Sequence, residues 1–137
     1  MNILIADDDP VTLKLLASRL CAWGHTVHQA VDGNTAWETI GGTPVDMVIS
    51  DWMMPGMDGL ELCRRIREHN ERGYMYLILI SAQDSKTEIV RGLESGVDDY
   101  ITKPIDMDAL HARIEIGARI VNLELERMGR LVDDMLD

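Results

Sequence analysis

The chain has 137 residues, enough for one domain with a single core and about thirty residues of appendage. Lys and Arg total 13 against 24 Asp and Glu, and the net charge of -11 repels phosphate backbones, which argues against direct nucleic-acid binding. No stretch nears the roughly 20 apolar residues that a bilayer crossing needs, and the start lacks a signal pattern. The chain therefore reads as soluble and cytoplasmic, with no membrane contact.

Ile3-Leu4-Ile5-Ala6 is a short apolar run suited to a strand buried on both faces of a parallel sheet. It ends in Asp7-Asp8-Asp9. Asp9 before Pro10 signals a helix start with the acid as N-cap, and Leu13, Leu16, Ala17 and Leu20 recur at helical spacing until Gly24. Cys21 and Cys63 sit far apart in apolar helical patterns, so both are read as small core residues and not as a metal pair or a disulfide. Thr26 to Ala30 alternates as an edge strand does, and a helix from Asp32 or Gly33 to Ile40 ends at Gly41-Gly42.

Val45 through Ile49 is the next strand. It delivers Asp51 to an exposed tip, where Pro55, Gly56 and Gly59 force a loop. Trp52 is expected to be partly exposed beside it, with Trp23 and Trp37 packed. Asp58 and Glu61 have capping-box spacing and open a helix that buries Leu62, Cys63 and Ile66 and closes over Asn70 to Gly73. Leu77 to Ile80 is a fully apolar strand ending at Ser81-Ala82. Ser85 and Glu88 repeat the box before a helix whose inward stripe is Ile89, Val90 and Leu93, ended by Gly96. Tyr100-Ile101-Thr102 is a last short strand, broken at Lys103-Pro104, and Asp106 caps a final helix.

Strands alternating with helices at this spacing imply parallel β-α units with right-handed crossovers. Three strands are solidly apolar and two are not. The pattern predicts an α/β fold, a doubly wound five-stranded parallel sheet in the order 2-1-3-4-5, flavodoxin-like, with an extended C-terminal helix. Ligands of such sheets bind beyond the carboxyl ends of the strands. Asp7 and Asp8, Asp51, Ser81 and Lys103 each follow a different strand to that end, whereas the edge strand stops at Ala30 and contributes nothing. Carboxylates gathered there repel by about 4 kcal/mol per pair at ~4 Å for an effective dielectric near 20. A hard divalent ion such as Mg²⁺ together with Lys103 would balance three acids. In that setting a carboxylate can attack phosphorus, and Asp51, on the roomiest loop, is assigned the attack.

Asp7-Asp8, the run Asp51-Trp52-Met53-Met54-Pro55-Gly56-Met57-Asp58-Gly59, Ser81-Ala82 and Gly96 through Pro104 together resemble the receiver domain of two-component response regulators. The resemblance covers residues 1–119, with 120–137 left as a helical extension and coiled-coil linker. It implies that Asp51 takes a phosphoryl group from a phosphohistidine of a sensor histidine kinase or phosphotransfer protein. It implies direct Mg²⁺ ligation by Asp8, Asp51 and the Met53 backbone carbonyl, with Asp7 acting through a metal-bound water. Lys103 would pair with the acceptor and then with the phosphoryl group, across a cis Lys103-Pro104 bond. Ser81 and Tyr100 would form the switch, driving an output face made of the fourth helix, fifth strand and fifth helix. Serine at 81 replaces the commoner threonine, and Met53 and Gln83 occupy variable flanking positions. Such a module catalyses only its own phosphorylation and dephosphorylation and is not otherwise an enzyme.

Plainer readings stand beside these. Asp9 alone is a helix cap, Tyr100 alone is half-buried packing, and His25, His28, His69 and His111 share no metal-like spacing and are taken as surface residues. Nine Met and no Phe suggest an adaptable core. One rival is a metal-dependent phosphatase of the haloacid dehalogenase type, against which stands Met53 where those enzymes carry a general acid. Another is a scaffold that works without phosphorylation.

From Asp106 onward Ile114, Ala118, Val121, Leu125, Met128, Val132 and Met135 alternate in steps of four and three, about three heptads of a coiled-coil seam. A helix continuous to Asp137 would be about 48 Å long and must project. A homodimer through it is expected, against the alternative of a frayed tail weakened by Gly117 and Gly129. In similar regulators such a helix leads to an output domain, for instance a diguanylate cyclase, so one is expected to follow.

Overall fold

Strands and helices alternate throughout: β1 (Asn2–Ala6), α1 (Pro10–Ala22), β2 (Thr26–Ala30), α2 (Gly33–Gly42), β3 (Met47–Asp51), α3 (Gly59–Glu68), β4 (Tyr76–Ser81), α4 (Lys86–Glu94), β5 (Asp99–Thr102) and α5 (Met107–Leu136). The structure is a computed structural model that describes residues 1–69 and 73–136, so the expected closure of α3 over Asn70 to Arg72, and Asp137, lie outside the described residues. All pairings are parallel, in the expected order β2-β1-β3-β4-β5.

Successive strand residues point to opposite faces, and the two faces of the central strands build two cores. Ile3, Ile5, Ile49, Ile78 and Ile80 pack with Leu13, Leu16, Leu20, Leu110 and Ile114 of α1 and α5. Leu4, Val48, Leu77 and Leu79 pack with Ala36, Ile40, Leu62 and Ile66 of α2 and α3. Each such side chain stabilises the fold by about 2 kcal/mol on burial, which is why β1, β3 and β4 tolerate so few polar residues.

Side-chain caps fix where the helices begin. Asp9 accepts from the Val11 amide at 3.1 Å, Asp32 from Thr35 at 2.7 Å, Asp58 from Glu61 at 2.9 Å, Ser85 from Glu88 at 3.2 Å and Asp106 from Ala109 at 3.1 Å. Each removes one orphan amide from a helix start. Because every helix follows a strand, the caps also hold the loops at the carboxyl edge of the sheet.

Three expectations fail. Cys21 is exposed, since it lies a turn-fraction away from the buried Leu13, Leu16 and Leu20 stripe; only Cys63 is a core residue. On α4 the stripe Ile89, Val90 and Leu93 does not face inward: Val90 and Leu93 are 43% and 45% exposed, and Gly92 is the buried residue of that helix. The seam on α5 is divided, because Ile114 and Val121 are buried in the domain's own core while nothing described beyond Val121 is buried. Gly117, read as a weak point, is where α5 meets the sheet: a Cβ there would lie 2.6 Å from Met47 Cε and from the Tyr76 ring.

At the foot of the sheet, Arg67 of α3 donates to the carbonyls of Gly96 at 2.8 Å and Met75 at 2.7 Å, and to Asp98 at 2.7 Å. Asp98 also accepts the Leu77 amide at 2.7 Å, so one guanidinium ties α3 to the entries of β4 and β5. Arg67→Met keeps the aliphatic stem and strands these acceptors, and should cost about 2–4 kcal/mol in urea unfolding. A loss below about 0.5 kcal/mol would mean that solvent replaces the clasp at little cost.

Candidate functional site

Strand register assembles the site. Ala6 pairs with Ser50 and Asp51 pairs with Ile80, so Asp7 and Asp51 end neighbouring strands at the same level, with Ser81 and Thr102 paired one residue further on. The backbone amide of Lys103 donates to the Ser81 carbonyl at 2.8 Å, which carries the pairing to the lysine. From the edge strand comes a backbone contact, the Ala30 carbonyl accepting the Asp7 amide at 3.1 Å.

The four expected groups converge. Lys103 Nζ lies 3.4 Å from Asp51 Oδ1 and 3.5 Å from Asp7 Oδ2. One carboxylate oxygen each from Asp7, Asp8 and Asp51 falls within 4.8 Å of the others. The Lys103-Pro104 bond is cis, as the resemblance implied. Asp7 is buried, and its Oδ1 accepts the Asp9 amide at 2.8 Å, while Asp8 is exposed. Asp9 serves as the helix cap, with Thr12 Oγ1 donating to it at 2.7 Å.

Asp51 is not the exposed tip that the sequence suggested. It is the last residue of β3 and only 8% exposed, because Trp52 continues the line and donates its amide to Ile80 at 2.9 Å. Trp52 itself is buried at 3%, not partly exposed. Its indole meets Tyr100 edge-on at 6.2 Å, and the Arg91 guanidinium of α4 lies 5.6 Å from its centroid. Sequence reasoning missed this cover, since Arg91 and Tyr100 carry no local pattern that pairs them with Trp52. Met53 follows on the loop with its side chain 60% exposed.

Burial raises the pKa of Asp51 to about 6, and the neighbouring Asp7 charge adds to the shift despite the opposing pull of Lys103. Burial alone would lower Lys103, yet the Asp51 and Asp7 carboxylates outweigh it and raise its pKa. One ammonium is therefore too little for three acids. The site is short of positive charge, and its donors are hard oxygens within reach of one small ion, a set that fits Mg²⁺.

Ser81 is buried at the end of β4 and its Oγ accepts the Gln83 amide at 3.0 Å. Tyr100 donates its hydroxyl to the Gln83 carbonyl at 2.6 Å. The two expected switch residues thus share one loop residue.

Residues 3–115 match the family model of the response regulator receiver domain. This chain is a receiver domain. Among curated relatives it is 38% identical over 119 residues to the transcriptional regulatory protein TcrA of Mycobacterium tuberculosis, covering 87% of this chain and 46% of that protein. It is 38% identical over 113 residues to the response regulator PleD of Caulobacter vibrioides, covering 82% of this chain and 25% of that one. The receiver thus spans less than half the length of both. Among solved structures, the Francisella response regulator 1452 receiver domain superposes with a TM-score of 0.81 at 35% identity, covering 86% of this chain and 96% of that one. The BeF3-activated DrrB receiver domain gives 0.77 at 29% identity, with 86% and 97% covered. Among the described residues of this receiver no helix is long and apolar enough to cross a membrane.

Proposed function

We propose that this receiver accepts a phosphoryl group on Asp51 from the phosphohistidine of a sensor histidine kinase or phosphotransfer protein, and turns over no other substrate. The observation that carries the reading is the meeting of Asp51, Asp7, Asp8 and Lys103 at one end of the sheet. An Asp51 oxygen attacks phosphorus as the P–N bond breaks, and the departing imidazole takes up a proton. Lys103, already 3.4 Å from Asp51, stands where it can neutralise charge on the incoming group. Asp8, Asp51 and the Met53 carbonyl would hold Mg²⁺, with Asp7, already engaged by Asp9 and Lys103, acting through a water. Bound there, the ion would supply the charge neutralisation that a phosphoryl transfer requires.

The Ser81 hydroxyl, at the end of the strand beside that of Asp51, would turn toward a phosphoryl group there. Moving toward it would release the Gln83 amide, and Gln83 is also the residue that anchors Tyr100. Tyr100 in turn packs against Gly92 of α4 and Trp52. Phosphorylation would thereby bias the face formed by α4, β5 and α5, whose exposed Val90 and Leu93 await a partner. A near-complete shift needs about 5.5 kcal/mol of differential stabilisation. The greater length of TcrA and PleD supports an output domain beyond this receiver, and the apolar surface of α5 past Val121 supports pairing of two copies in the cytoplasm.

The test is intact mass after incubation with a small acyl phosphate and Mg²⁺. Wild type gains one phosphoryl group and Asp51→Asn gains none. Because the attacking species is the carboxylate, uptake should fall as acid protonates Asp51, at a pH below the metal-free value of about 6, since bound Mg²⁺ would favour the ionised form. Uptake that survives in Asp51→Asn removes the assignment, and continuous phosphate release would favour a phosphatase.

A further inference from the structure

The loop that follows the acceptor strand is held by packing, not by hydrogen bonds. Residues 53–57 run from Trp52 to the Asp58 cap of α3, and among the described residues no hydrogen bond or ion pair reaches any of the five. Met54 and Met57 anchor the loop, both buried in the core that α2 and α3 share. The remaining hold is a contact with Gly33, the buried first residue of α2.

A Cβ on Gly33 would collide with the Met57 carbonyl oxygen and stand 2.8 Å from the Met57 Cβ and 2.9 Å from its carbonyl carbon. The φ of Gly33 is not positive, so this glycine answers to the approach of the loop and not to a turn. The start of α2 cannot yield easily either. Asp32 caps it by accepting the Thr35 amide at 2.7 Å, and Ala36 and Ile40 bury its next turns in the core. The neighbouring Asn34 repeats the contact one residue back along the loop, its Nδ2 lying 2.9 Å from where a Cβ on Gly56 would stand. That neighbour is the end of a flexible side chain, so Gly33 against the Met57 backbone is the harder of the two. The edge unit of β2 and α2, none of whose side chains joins the acid cluster, thus supplies a wall on which the loop rests.

We propose that Gly33 is a positioning residue for the metal: by admitting the Met57 backbone against the start of α2, it sets where the Met53 carbonyl stands and so how tightly Mg²⁺ is held with Asp8 and Asp51. The inference rests on the assignment of those ligands, and the experiment tells the two apart. Mn²⁺ is the probe, since it takes the same oxygen donors as Mg²⁺, and the electron paramagnetic resonance signal of the free ion counts what is bound. Titrations are run with sucrose present, which favours the folded state.

Wild type should hold one ion that Asp8→Asn does not, a comparison that subtracts weak binding to the acidic surface. Gly33→Ala should raise the Kd of that ion about tenfold, as disturbing the support of a metal ligand commonly does. Ile40→Val loosens the same helix about two turns further on; it should unfold at lower urea than wild type and keep the wild-type Kd. A wild-type Kd for Gly33→Ala, or an equal loss of affinity in Ile40→Val, would overturn the positioning role while leaving the ligands in place. A Gly33→Ala chain that stays unfolded in sucrose would overturn it as well, because the residue would then serve the fold and not the site. Equal binding by wild type and Asp8→Asn would remove the ligand assignment and this inference with it.

Discussion

Asp51→Asn should raise the unfolding free energy of the metal-free protein at pH 7 by roughly 2–3 kcal/mol, even as it abolishes phosphoryl uptake. The folded-state pKa of about 6 lies above the ordinary value of 3.8, with burial as the larger cause and Asp7 as the next. Above pH 6 the acid is ionised in both states, and the folded state bears the extra cost of holding that charge. Between pH 6 and 3.8 the folded chain binds more protons than the unfolded one, so this cost is relieved as pH falls; below 3.8 it is gone. The stability gain of the Asn variant should follow the same course, full at neutral pH and vanishing near pH 4. Chemical denaturation of both proteins at pH 4, 5, 6 and 7 reads it directly. Saturating Mg²⁺ should narrow the neutral-pH gap, since the ion would bind the native wild type more tightly than the variant. Equal stabilities at pH 7 without metal would mean that Lys103 already compensates the buried charge.

The parts of this fold that were legible in the sequence are those where one residue type answers to one local demand. Ile3 to Ala6, Met47 to Ile49 and Leu77 to Ile80 are apolar on both alternating faces, and a strand buried on both faces is what accommodates that. Asp58 with Glu61 and Ser85 with Glu88 marked helix starts to the residue because an N-cap acts within three positions of itself. Asp7, Asp8, Asp51, Ser81 and Lys103 were readable as a set because strand ends in a parallel sheet meet at one edge, whatever the distance between them in the chain.

What escaped depends on partners that no local pattern announces. The α4 stripe looked like a core stripe, yet the helix touches the sheet through Gly92 against Tyr100, which leaves Val90 and Leu93 to solvent. Arg67 carries no local signal of its role, which appears only once Gly96, Met75 and Asp98 are placed around it. Periodicity found the α5 seam but could not say that Ile114 and Val121 were already used, because a stripe records which face is apolar and not what covers it. The exposed tip assigned to Asp51 failed for a related reason: loop signals at Pro55 and Gly56 were taken to start at the acid, whereas the backbone pairing persists through Trp52.

Gly59→Ala should be among the most damaging small substitutions, costing about 3 kcal/mol. The sequence marked Gly59 as a loop former, but its φ is not positive and it begins α3. What it provides is close approach. A Cβ there would collide with the Asp51 carbonyl oxygen and stand 2.9 Å from Leu79 Cδ1 and 3.0 Å from Trp52 Cα. Two of those three are backbone and cannot swing aside, so either α3 lifts from the sheet or the end of β3 shifts. Gly59 also donates its amide to the Trp52 carbonyl at 2.8 Å, which ties any such movement to the residue beside the acceptor. A folded fraction of Gly59→Ala should therefore take up phosphoryl groups from an acyl phosphate more slowly than wild type under stabilising conditions. Gly42→Ala is the control, for it places a methyl where nothing lies within 4 Å, and its stability should stay within about 0.5 kcal/mol of wild type. Urea midpoints of the two variants that coincide with wild type would show that α3 and the acceptor strand can separate freely, and the tight coupling between them would have to be abandoned.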